Sequence, residues 1–222
     1  MPVLIQGGGG KPTVLFERVE LTGFYLIRAY HSAKLIPESP DSEAGHIARL
    51  ENSILTVMWS TLALEAGANS IAEDMIPTTD FKDFDKCRKK FNKVPGISSV
   101  VWKWHLLFKH GPKLDLPLDA PVLANAEKLV QLRHRLTHYS AQEASRKYYY
   151  DSPKPQVGPD GRMMMVSLWS ADTPPTKVEP SLIESALSDN PAQHYMVARQ
   201  LFLVWELTNG RDGSVLKEIP SL

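Results

Sequence analysis

The longest regular pattern along the chain lies between two prolines, Pro40 and Pro77. Ile47, Leu50, Ile54, Val57, Leu64, Ala68, Ile71 and Met75 recur at alternating spacings of three and four, with Thr61 in the one polar slot. Ala48, Leu55, Met58 and Leu62 widen that stripe. So broad an apolar face predicts a central helix of a bundle. Asp41 or Ser42 stands where a cap belongs, and Glu43 sits in the first turn. Before it, a first helix is expected over about residues 15–35, closed by Pro37 and Pro40. Residues 1–13, with glycine at 7 to 10, read as a flexible tail holding a short strand at residues 3–5.

After Pro77 the pattern predicts three more helices before the chain changes character. One covers about residues 80–92, with Phe81, Phe84 and Phe91 inward. A tryptophan-rich one covers about 98–109 and is closed by Gly111-Pro112. A third covers about 122–142, entered through the turn between Pro117 and Pro121. Trp102 and Trp104 fall on different sides of one turn, which assigns one to the core and the other to an interface. Residues 146–180 lose the helical period. Two β-prone runs flank Gly158-Pro159-Asp160-Gly161 and read as a hairpin or flap. A last helix follows over 191–207, with Asn190 as its cap, Pro191 in its first position and Asn209-Gly210 at its end. The reading is all-α: an antiparallel bundle of five to six helices, one domain over 14–222, with an irregular or β-hairpin insertion at about 146–180 before the last helix.

Composition changes this picture little. The 222 residues carry 25 basic and 25 acidic side chains, so net charge selects no partner. The distribution is uneven. Residues 38–74 hold seven acids and Arg49 alone as a base, whereas 82–113 hold nine bases and two acids. A single cysteine, Cys87, rules out an internal disulfide and suits a reducing compartment. No leader pattern is visible at the N-terminus. The longest uncharged apolar run, 52–64, falls short of the ~18 residues of a membrane span. The expectation is a cytoplasmic protein with no membrane partner.

The chemistry concentrates in Gln131-Leu132-Arg133-His134-Arg135-Leu136-Thr137-His138-Tyr139-Ser140. Leu129, Leu132, Leu136 and Tyr139 define a core face. At about 100° per residue, His134 and His138 lie roughly 140° or more from its centre, with Arg133 and Arg135 flanking the stripe. The histidines are therefore expected in solvent or in a second interface. Three chemistries fit. A wet helix end would set Arg and His against the C-terminal dipole. A metal site would use His134 and His138 at i, i+4, but Arg135 stands where a zinc helix carries glutamate, and His105, His110 or a distant acid would have to join. Metal-free phosphodiester chemistry would pair an arginine fork on phosphate with an imidazole that moves protons near neutral pH.

Arg133-His134-Arg135-Leu136-Thr137-His138 resembles the Arg-polar-x-x-x-His motif of HEPN domains (higher eukaryotes and prokaryotes nucleotide-binding). Leu64-Glu65-Ala66-x-x-Asn69 is similar to the Leu-Glu-Ala-x-x-Asn of many HEPN helices, and the resemblance spans about residues 18–142. It implies a homodimer in which two such segments meet in one cleft. It also implies a metal-independent endoribonuclease without cofactors, of the kind found in toxin–antitoxin, anti-phage and RNA-processing systems. Arg133 would hold the scissile phosphate, His138 transfer the proton and His134 orient the site. Glu65 and Asn69 would support it, Glu65 by a paired contact to Arg133, or simply hold a neighbouring helix. Lys86, Arg88, Lys89 and Lys90 could track an RNA backbone or form a solvated face. Tyr148 to Tyr150 could stack on bases or be ordinary strand residues. Other members of the family have lost catalysis, so the alternative is a silent module that binds a nucleotide, RNA or a protein such as an antitoxin.

Overall fold

A computed structural model of the chain describes residues 3–5, 14–16, 21–39, 42–75, 96–138, 140, 143, 145–149, 155–157, 159–165, 175–188 and 190–210. The fold is all-α. Six helices are present among these residues: α1 Leu21–Lys34, α2 Glu43–Met75, α3 Ser99–His110, α4 Pro121–Thr137, α5 Leu182–Ser188 and α6 Gln193–Thr208. Six three-residue strands form antiparallel pairs: β1 Val3–Ile5 with β2 Val14–Phe16, β3 Lys147–Tyr149 with β6 Lys177–Glu179, and β4 Pro155–Val157 with β5 Met163–Met165. The helix expected over 80–92 lies outside the described residues. The chain divides into two compact units, Met1–His134 with Asn190–Leu222, and Arg135–Asp189.

In the first unit α1 begins at Leu21, later than the apolar pattern suggests, because Val14–Phe16 is committed to pairing with Val3–Ile5. The α1–α2 corner is pinned from α2. Arg49 donates to the carbonyls of Pro37 at 2.5 Å and Glu38 at 3.0 Å, and Asn52 Nδ2 donates to that of Leu35 at 3.3 Å. Ser42 caps α2 as anticipated, its Oγ accepting the Gly45 N–H at 3.1 Å. The core gathers where α3 and α6 meet α2. Trp104 is fully buried, and its indole N–H donates to the Leu64 carbonyl at 3.0 Å. Around it stand Phe202, edge-on at 5.1 Å, and Trp205 at 6.0 Å, with Phe108 closing the set 5.4 Å from Trp205. Trp102 is the half-buried partner in that helix turn, with its ring 4.8 Å from His105.

Gly67 shows how closely α2 approaches α6. A Cβ there would fall 2.4 Å from the Phe202 ring and 3.2 Å from Thr22 Cγ2. Phe202 is buried and packs edge-on against Trp104, so a Cβ at this position forces the ring or the helices to shift. Gly67→Ala is therefore expected to destabilise the chain by about 1–3 kcal/mol despite the better helix propensity of alanine, read as a lower urea midpoint.

Two ends differ from the sequence pattern. Asn190 does not cap α6. It takes a left-handed conformation at φ 59°, and the chain enters the helix through turn bonds from Gln193 to the Asn190 carbonyl and from His194 to that of Pro191. Gly210, at φ 67°, does close α6, with its N–H on the Leu207 carbonyl.

The second unit opens with a helix stop. The helix expected to reach residue 142 ends at Thr137. Ser140 and Glu143 then form a reciprocal pair: Glu143 Oε2 accepts the Ser140 N–H at 2.9 Å, and Ser140 Oγ accepts the Glu143 N–H at 3.3 Å. This capping box starts a new turn instead of continuing α4. The same Ser-x-x-Glu device recurs at Ser181 and Glu184 and opens α5, a helix the apolar pattern does not reveal. The insertion is a hairpin within a ladder. β4 and β5 pair around residues 158–162, and β3 and β6 pair outside them.

Arg146 clamps this unit with a two-pronged contact to Glu184: Nε donates to Oε1 at 2.8 Å and Oε2 at 3.0 Å, and Nη2 donates to Oε1. Those bonds, assisted by the Ser181 N–H and hydroxyl against the opposing effect of burial, hold the Glu184 carboxyl down to about 2. A carboxyl depressed in the folded state stabilises fully above its unfolded value of about 4.3 and loses that contribution as pH falls toward the folded value. The melting-temperature gap between the natural chain and Glu184→Gln is thus expected to shrink as pH drops from about 4.5 to about 2.5. Arg146 is half-exposed, so solvent keeps the gap modest. A gap that ignores pH removes the pair as a stabiliser.

Candidate active site

The site run is carried by α4. Leu123, Ala126 and Leu129 are buried, and they seat the helix in the first unit. Glu127 locks it further. Its Oε2 accepts both the Ser98 N–H at 2.9 Å and the Ser98 hydroxyl at 2.7 Å, at the N-terminus of α3. Ser98 Oγ in turn caps α3 by accepting the Val101 N–H at 3.3 Å. A carboxylate at the positive end of a helix is a favourable anchor. Gln131 Nε2 donates to the other Glu127 oxygen at 2.7 Å, so the polar clamp runs along α4 toward Arg133.

Arg133 does not flank the core face as the leucine spacing implies. The buried line Leu123, Ala126, Leu129 reaches Arg133 at its next step, and the arginine is half-buried with Nε out of solvent. The missed signal was Ala126, a small core residue one line over from the leucines. Leu132 and Leu136 are themselves only half-buried, and Tyr139 lies outside the described residues. His134 and His138 are exposed, as the wheel anticipates for residues far from the core. His138 stands just past the last helical residue, so the i, i+4 relation to His134 is not that of two residues within one helix. Arg135 is exposed and ion-paired with Glu143 at 3.7 Å. The boundary between the two units falls between His134 and Arg135.

The Leu64-to-Asn69 segment divides in two. Leu64 and Ala68 are fully buried and Gly67 meets Phe202, so its apolar half is core packing. Glu65 and Asn69 are exposed. Lys103 Nζ donates to Asn69 Oδ1 at 2.6 Å, which ties α2 to α3. Lys86, Arg88, Lys89 and Lys90, with Cys87, lie outside the described residues. Tyr148 and Tyr149 are exposed on β3. The Tyr149 hydroxyl donates to Glu179 at 2.9 Å, and the Lys177 ammonium stands 5.3 Å from its ring centre. Lys177 and Tyr149 together hold the Glu179 carboxyl below its usual range.

His105, a possible extra metal ligand, instead meets the Leu116 carbonyl through Nδ1 at 2.8 Å. Among the described residues no group of three or more His, Cys, Asp or Glu gathers around one point, and no helix is long and apolar enough to cross a membrane. What α4 offers chemically is the half-buried guanidinium of Arg133 followed by the solvent-facing imidazole of His134; His138, also exposed, follows the helix and belongs to the second unit. No family model, curated protein or solved structure matches this chain.

Proposed function

We propose that the chain is a HEPN-like, metal-independent endoribonuclease that acts as a cytoplasmic homodimer in a toxin or anti-phage defence role. What supports this reading is the contrast along one short segment: Arg133 half-buried on the packing side of its helix, and His134 and His138 both exposed. A rooted arginine holds a phosphate in one place, and an exposed imidazole reaches a proton on a bound strand. In the reaction, His138 takes the proton of a ribose 2′-OH. The 2′-oxygen bonds to phosphorus, Arg133 balances the charge growing on the phosphoryl oxygens, and the bond to the 5′-oxygen breaks. That oxygen leaves as a 5′-OH, protonated by the second copy's histidine, and the other product ends in a 2′,3′-cyclic phosphate. Two copies of the segment around one linkage supply acid and base together.

The test uses the purified chain with end-labelled single-stranded RNA in EDTA. Cleavage to cyclic-phosphate and 5′-OH ends, with DNA of the same sequence left whole, is the expected result. Activity lost in chelator and restored by zinc, or a strictly monomeric chain, defeats the proposal. A chain that dimerises and binds RNA without cutting it matches the silent-module reading instead.

A further inference from the structure

Helix α1 carries no acidic residue over its fourteen positions. Its exposed side presents Phe24, Arg28, His31 and Lys34 at steps of three and four, so these form one stripe along the helix. Phe24 is 46% exposed, as Leu21 and Ile27 of the same helix are in similar measure, and the Arg28 guanidinium lies over its ring at 5.3 Å from the centroid. Beside them Tyr25 stacks on half-buried Trp59 of α2, with centroids 5.8 Å apart and planes at 20°. Phe24 meets the same indole edge-on at 6.3 Å. Three rings and a guanidinium plane thus share one surface patch, continued by two further cationic or titratable groups.

We propose that this face of α1, with Trp59, is a docking surface for single-stranded RNA. Unpaired bases stack on exposed aromatic rings and on arginine planes whatever their identity, and spaced basic side chains follow the phosphates. A base pair buried in a duplex presents no such face. The charge argues against a second copy of the chain as occupant. Isologous pairing of α1 with α1 would set two helices bearing Arg28, His31 and Lys34 face to face, with no acid on either to meet them. Glu43, Glu51, Glu65 and Glu73 are exposed on α2 and Glu38 on the connection between the two helices, so no exposed acid stands on α1 itself. None of the residues assigned to catalysis belongs to this surface, and its role requires only that RNA bind.

The experiment measures binding of a fluorescein-labelled 2′-O-methyl oligouridylate, which cannot be cleaved, to the full chain by anisotropy and by tryptophan quenching. Phe24→Ala and Arg28→Ala are each expected to weaken binding about tenfold. Phe24→Leu should weaken it nearly as much, because leucine keeps the apolar bulk without the π-face. Affinity should fall with added salt. Unchanged affinity in both alanine variants overturns the proposal, as does a Phe24→Leu chain that binds normally. Conversion of a dimer to a monomer by Phe24→Ala would reassign the face to self-association. The two readings fail separately. RNA bound through α1 but never cut defeats the nuclease alone, and RNA cut at an undiminished rate and affinity without Phe24 and Arg28 defeats only this one.

Discussion

Replacing His138 with alanine should lower the rate of RNA cleavage by about 10²–10⁴-fold, the usual contribution of a positioned proton-transfer group. Stability should hardly move. The imidazole is exposed and follows the last residue of α4, so removing it opens no cavity. Exogenous imidazole should restore part of the activity, since solvent reaches the site. Arg133 should behave differently. It is half-buried on the packing side of α4, and alanine there removes alkyl packing as well as charge. Arg133→Lys is the sharper probe: it keeps the charge and most of the stem but loses the planar fork. Its expected signature is a fall in kcat beyond any rise in KM, because the two-pronged contact matters most when the phosphoryl oxygens carry extra charge. Loss of fold rather than of rate in His138→Ala, or full activity, would remove His138 from the chemistry.

The contrast between these two residues also shows how far the sequence could be read. The solvent side of α4 was legible, because histidines opposite a leucine stripe have nowhere else to go. The buried side was not, because Ala126 contributes to the core without standing out as hydrophobic. α2 was legible through its long apolar period and the cap at Ser42, and α3 through its tryptophans and the closing Gly111-Pro112; that Ser98 caps α3 is a finding of the structure. The early end of α4 was hidden by the continuing leucine spacing, although Ser140 and Glu143 spell a capping box in plain letters. α5 is too short for a period to emerge, and only Ser181 and Glu184 announce it. The short strand expected at residues 3–5 is present as β1, but strands of three residues show no alternation, so its partner β2 and the pairing of β3 with β6 were not legible. Local hydrogen-bond chemistry, rather than hydrophobic period, decided each of the helix boundaries that the pattern missed in the second unit.

The largest loss of stability is expected at Trp104. The side chain is fully buried between α2 and α6, touches three other aromatic rings and donates to a backbone carbonyl of α2. Trp104→Ala should cost about 3–5 kcal/mol, the sum of lost burial and a cavity that the neighbouring helices cannot fill. Total stabilities are typically about 5–15 kcal/mol, so this one change could leave a large unfolded fraction at room temperature. Trp104→Phe separates the two contributions. It preserves a ring against Phe202 and Trp205 but removes the N–H to Leu64. That carbonyl keeps its place in the α2 ladder, so the lost bond should weigh only about 0.5–1.5 kcal/mol, with a further increment for the smaller ring. Urea unfolding with an unchanged slope and two stepped midpoints, phenylalanine between the natural chain and alanine, is the expected outcome. If alanine and phenylalanine were equally destabilising, the hydrogen bond and not the packing would be what joins α3 to α2. Equal stability of all three chains would mean that the aromatic cluster is not the core. In that case α4, held to α3 through Ser98 and Glu127, would owe its position to other contacts, and with it the footing of Arg133.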